Sequence, residues 1–145
     1  MKNTILIFAI FLSTTLYSQN PSEKDIKTFC NSFANTIVSG DLNNALNYFD
    51  PDYKRVQHDE YLAGNTKQFI QEFLAGYNNF CCFKRTMRTP SIDNIKSIKL
   101  VNIKYTDDQY IAKFKIELET GKPIKLSTTI VFKSEKEIYF VGAVG

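Results

Sequence analysis

The stretch from Ser22 to Asp52, SEKDIKTFCNSFANTIVSGDLNNALNYFDPD, decides the fold class of this chain. Ile26, Phe29, Cys30, Phe33, Ala34, Ile37 and Val38 recur at the spacing of one helix face. Ser22 stands where an N-cap belongs, and Asp25, one turn on, can reach back to complete a capping box. Gly40 occupies the left-handed position that closes a helix. Asp41 then caps a second helix with the stripe Leu42, Ala45, Leu46 and Phe49, stopped at Asp50-Pro51. Two apolar stripes joined by so short a break must face the same core.

Upstream, the chain has the layout of a secretory signal peptide: Lys2, the apolar run Ile5 to Leu12, and small Ser18 before Gln19. The competing membrane span needs about 20 apolar residues, more than this run supplies. The expectation is removal of residues 1–18 and export, to the periplasm or beyond, without a membrane anchor. Residues 19–145 then form one domain, a length sufficient for a single core. Losing Lys2 and no carboxylate lowers the net charge from +3 to +2, too little to imply nucleic acid.

Downstream, the residues from Asp52 to Gly64 alternate in a way that permits a short, poorly buried strand. Asn65 caps a third helix with the stripe Phe69, Ile70, Phe73, Leu74 and Tyr77. From Phe80 the period changes to 2. Cys81, Phe83, Arg85 and Met87 share one strand face, ended by Pro90, and four more strands follow: Ile98 to Tyr105, Tyr110 to Glu119, Ile124 to Lys133 and Ile138 to Val144. Loops this short force antiparallel pairing. A loop over Thr106 to Gln109 sets Tyr105 against Tyr110, Ile103 against Ala112, and Val101 against Phe114. A three-residue loop around Gly121 sets Leu118 against Ile124, Ile116 against Leu126, Phe114 against Thr128, and Glu117 against Lys125. Ile138 to Val141 is apolar at both parities, which alternation alone does not resolve. Ile98, Leu100, Ile111 and Val131 fall on the face away from the helices, either as scattered surface apolars or as a homodimer contact.

His58-Asp59-Glu60 is the one place where an imidazole sits beside carboxylates. His58, with Asp59, is the catalytic candidate as a general base. Neighbours on a strand or turn point apart, so the bland alternative is a solvated loop. Cys30, Cys81 and Cys82 are an odd set for an exported protein. A bridge from Cys30 to Cys81, on the helix-facing side of its strand, competes with Cys30 as a small buried hydrophobe, and pairing with Cys82 stays open. No metal-ligand spacing occurs.

The order helix, helix, short strand, helix and antiparallel meander resembles the nuclear transport factor 2-like superfamily, which includes the SnoaL-like proteins. Phe33 to Asp41 (FANTIVSGD), Tyr48 to Tyr53 (YFDPDY) and Gly64 to Phe73 (GNTKQFIQEF) carry the likeness. The resemblance implies an α+β fold in which a curved antiparallel sheet closes as a cone over three N-terminal helices. It also implies an inner pocket, here Phe33, Tyr53, Tyr77, Arg85, Phe114 and Thr128, for a small apolar ligand. The superfamily spans isomerases, dehydratases and epoxide hydrolases beside non-catalytic modules, and fold does not choose among them. Catalytic members related to ketosteroid isomerase place a carboxylate base shortly after the "pD" motif, where this chain has Lys54 to Gln57, and a first-helix tyrosine where it has Phe29 and Phe33. The expectation is a non-catalytic module binding a small apolar ligand or a protein partner, with no cofactor. The alternative is a small acid–base enzyme using His58 or a tyrosine.

Overall fold

A computed structural model describes residues 20–76 and 89–144. The chain is α+β: helical segments come first, and a four-stranded antiparallel sheet in the order β1-β2-β3-β4 follows. Helix α1, Glu23–Val38, opens with the full capping box, the Asp25 N–H donating to Ser22 and the Ser22 N–H donating to Asp25. Its stripe buries Ile26, Cys30, Phe33, Ala34 and Ile37, whereas Val38 emerges at 49% exposure because the helix ends there. Gly40 takes φ +80°, the left-handed closure its position requires. Asp41 caps α2, Leu42–Ala45, which tightens into a single 3₁₀ turn over Leu46–Tyr48.

Asp50-Pro51 starts a helix as well as stopping one, which corrects the expected strand over Asp52 to Gly64. The Asp50 carboxylate accepts from the N–H groups of Asp52 and Tyr53, and Pro51 fills the first helical position, where its missing N–H costs nothing. Helix α3, Pro51–Lys54, runs directly into a π-helical segment, Arg55–Tyr61. The segment is left through Ala63 and Gly64, both at positive φ. Asn65 then caps α4, Thr66–Leu74, which buries Phe69, Ile70, Phe73 and Leu74. Tyr77, and the strand expected from Phe80, lie outside the described residues. Among the described residues no helix is long and apolar enough to cross a membrane.

Strands β1 (Ile95–Thr106) and β2 (Gln109–Leu118) turn at Asp107-Asp108, both at positive φ as a two-residue hairpin needs. Tyr105 faces Tyr110 and Ile103 faces Ala112, as the alternation requires. Beyond them a bulge at Val101 shifts the ladder, so Leu100, not Val101, faces Phe114. The extra residue reverses the parity of β1. Ile98 is therefore buried in the core and Leu100 packs against it, rather than on the outer face, while Val101 is 65% exposed.

Strand β3, Ile124–Ser134, meets β2 two residues from the expected register. Ile116 faces Ile124, Phe114 faces Leu126, Ala112 faces Thr128 and Lys115 faces Lys125. A slip of two keeps every side chain on its face, so alternation is blind to it. Asn94 sets the longer loop: its backbone oxygen accepts from the Glu119 N–H, its side-chain oxygen from the Thr120 N–H, and its amide donates to the Thr120 oxygen. A bulge at Val141 in β4 (Glu137–Val144) reverses the parity of that strand after the apolar run. Ile138 and Phe140 face inward before it and Ala143 after it. The core is aromatic at its centre. Phe140 is fully buried and meets Phe29, Phe33, Phe49, Phe73 and Phe114. Phe49 makes a lone parallel bridge to Phe140, and the Asp50 N–H donates to the Phe140 carbonyl, tying the helical half to β4.

Candidate functional site

His58 lies in the π-helical segment and is only 7% exposed, so the solvated-loop expectation does not hold for it. Its ring stands edge-on to Phe69, with centroids 5.5 Å apart. Nδ1 lies 2.5 Å from the Asp59 carboxylate and Nε2 lies 3.0 Å from the Thr66 hydroxyl. Sequence neighbours do converge here, within the π-helical segment. A carboxylate accepts only, so Nδ1–H donates to Asp59, while Nε2 and the Thr66 hydroxyl are hydrogen-bonded to each other. The result is a carboxylate–imidazole–hydroxyl chain, Asp59–His58–Thr66, which can raise the nucleophilicity of the hydroxyl when Nε2 is the acceptor. Arg55 pairs with Glu60 across the same segment, outside the relay. Thr66 was not foreseen. The only signal was its place one residue after the Asn65 cap, which says nothing about His58.

Of the residues expected to line an inner pocket, Phe33 and Phe114 lie in the packed core. Phe33 touches Tyr48, Phe49, Phe73 and Phe140, and Phe114 touches Phe140. Thr128 is buried and donates to the Ala112 carbonyl at 3.3 Å. Tyr53 stacks on Phe49, and burial, with the Glu72 charge adding to it, pushes its phenol up to about 12. Tyr77 and Arg85 lie outside the described residues.

Cys30 is a free thiol at zero exposure, and burial raises its pKa to about 12. It behaves as a small hydrophobe, since the thiolate is the reactive form. Cys81 and Cys82, the candidate partners, lie outside the described residues. Iodoacetamide is expected to label Cys30 only after unfolding in guanidinium, as read by peptide mass spectrometry. Labelling in the native protein at the rate of an exposed thiol would contradict this burial.

The outer face of the sheet carries a depression of about 420 Å³ lined by Val101, Lys113, Lys115, Lys125 and Ser127, over Phe114 and Leu126. Glu117 stands at its side, with Lys115 at 3.0 Å, Lys99 at 3.5 Å and the Ser97 hydroxyl at 3.1 Å. The hydrogen bonds from Lys115 and then Ser97, helped by the charges of Lys99 and Lys115, hold its carboxyl below the usual glutamate range. A second hollow of about 470 Å³ lies between Phe29 and Tyr48 on one side and Ile138 and Tyr139 on the other. His58 lines neither. Among the described residues no three His, Cys, Asp or Glu side chains gather to hold a metal ion. No family model matches this chain, and no match was found among curated proteins or solved structures.

Proposed function

We propose that this chain is an exported, non-catalytic binding module that engages a protein partner through the outer face of its sheet. The observation that carries the reading is a contrast between the two faces. Phe33 and Phe114, on the inner side, are packed against Phe140, and Thr128 is buried with its hydroxyl bonded to the Ala112 carbonyl. The outer side offers a depression with an exposed valine at its rim. Binding sites are concave surfaces with apolar lining and a few polar groups, and the outer depression meets that description. Membership of the nuclear transport factor 2-like superfamily belongs to the same proposal. Its support is the order of helix, helix, the Phe49 bridge, helix and meander, together with the bulges at Val101 and Val141, which bend strands in the way a cone requires. Export rests on the Met1 to Ser18 layout alone.

The relay through His58 favours a second reading, an acid–base enzyme acting at Thr66. Its support is that the two ring nitrogens of His58 bridge a carboxylate and a hydroxyl, the partners that general-base catalysis uses.

Titrating 8-anilinonaphthalene-1-sulfonate into isotope-labelled protein and mapping amide shifts separates the readings. Shifts centred on Val101, Lys113 and Ser127 are expected. Shifts confined to Phe33, Tyr53 and Thr128 would overturn the outer-face reading in favour of an inner ligand pocket. Shifts centred on His58 and Thr66 would overturn it in favour of the enzyme.

A further inference from the structure

Three lysines stand side by side across the middle of the sheet: Lys99 pairs with Lys115, and Lys115 pairs with Lys125. Neighbouring strands lie about 4.8 Å apart, so three ammonium groups rise from a row roughly 10 Å long. Lys113, two residues from Lys115 on the same face, adds a fourth about 7 Å along the strand. Like charges directly opposite each other weaken a sheet. Lysines that guard a sheet against unwanted pairing belong on its edges, but Lys113, Lys115 and Lys125 lie on β2 and β3, the two interior strands. Glu117 answers Lys99 and Lys115. Among the described residues no carboxylate lies within ion-pair distance of Lys113 or Lys125, which face into the depression. The bulge in β1 pushes Val101 outward beside them.

We propose that this depression docks an acidic, extended protein segment, whose carboxylates meet Lys113, Lys115 and Lys125 while an apolar side chain covers Val101. The proposal rests on the outer-face reading and names the partner's chemistry. A second copy of the chain fits worse, because a twofold contact brings the same lysines against one another. Nucleic acid fits worse too: the patch holds no arginine to grip phosphate bidentately, and its one ring, Phe114, is buried and offers no face on which a base could stack. A membrane surface would bridge the concavity rather than fill it.

The test uses a fluorescein-labelled decapeptide of glutamates around a central leucine, titrated into the purified protein and read by anisotropy at low and moderate salt. The expected result is saturable binding that weakens with salt, weakens at least tenfold in the K113E/K125E variant, and weakens severalfold in Val101→Ser. All three side chains are exposed, the Glu117 pairs are left intact and K125E replaces a like-charge pair with Lys115 by an opposite-charge one, so the unfolding midpoint of K113E/K125E should not fall below the parent's. Equal affinity of the parent and K113E/K125E for the peptide would overturn the proposal. Tighter binding of a heparin octasaccharide, duplex DNA or phosphatidylserine vesicles than of the peptide would overturn it in favour of that polyanion. A dimer in light scattering that K113E/K125E alters would seat a second copy on the face instead. The anilinonaphthalene map on the same samples separates the two levels. If the peptide fails while Val101 and Ser127 still shift, only the acidic partner is lost; if both fail, the outer-face reading falls with it.

Discussion

Phe140→Ala is expected to remove about 3–5 kcal/mol of folding free energy, the range for deleting a buried aromatic ring. Phe140 is at zero exposure and meets five other phenylalanine rings, at centroid distances from 4.8 Å to 6.4 Å. Each aromatic pair adds about 0.5–1.5 kcal/mol beyond the area it buries, so the upper half of the range is favoured. The ring also joins elements that are far apart in the chain: Phe29 and Phe33 come from α1, Phe73 from α4 and Phe114 from β2. The cavity it leaves cannot collapse by moving one element. Domains of this size have about 5–15 kcal/mol in total, which leaves the alanine variant near the edge of folding. Phe140→Leu, which keeps most of the volume, should retain a cooperative transition at reduced midpoint. Urea unfolding followed by circular dichroism measures both. An alanine variant within about 1 kcal/mol of the parent would mean that the aromatic cluster is not the centre of the core.

His58→Ala is expected to cost about 2 kcal/mol, because it removes two partly buried hydrogen bonds and the edge contact with Phe69. His58 joins the π-helical segment to the first turn of α4, so the loss should loosen that junction first. The decisive measurement is a double-mutant cycle between His58 and Thr66. Contacting residues couple by about 0.5–3 kcal/mol, and a value near zero would mean that the 3.0 Å contact holds nothing together. The same variants divide the two functional readings. A stapling histidine changes the unfolding midpoint and nothing else. Hydrolysis of p-nitrophenyl acetate that is present in the parent and lost in both His58→Ala and Thr66→Ala would favour the relay as a catalytic device.

Much of the helical half was legible in the chain itself. The capping box at Ser22, the stripe from Ile26 to Ile37, the left-handed Gly40 and the Asn65 cap are all decided within a few residues of themselves. The Asp50-Pro51 pair shows where local signals end: the same residues stop one helix and start another, and which outcome follows depends on what lies beyond. The candidate site was half legible. His58 and Asp59 could be named because imidazole and carboxylate are rare neighbours in this chain, but their contact and the part played by Thr66 required the fold.

The sequence by itself determined the helical stripes, their caps, the antiparallel meander and the side of the sheet on which most residues fall. Those features follow from periodicities of 3.6 and 2 and from hydrogen bonds between near neighbours. Only the tertiary structure decided the register of β2 against β3, the bulges at Val101 and Val141, and the lysine row they leave exposed. A shift of two residues leaves alternation unchanged, so the register is decided by contacts from outside the hairpin, such as those of Asn94 with the Glu119–Thr120 loop. A bulge reverses alternation at one residue, and the reversal is stable only because the helices and Phe140 give Ile98, Leu100 and Ala143 a core to enter.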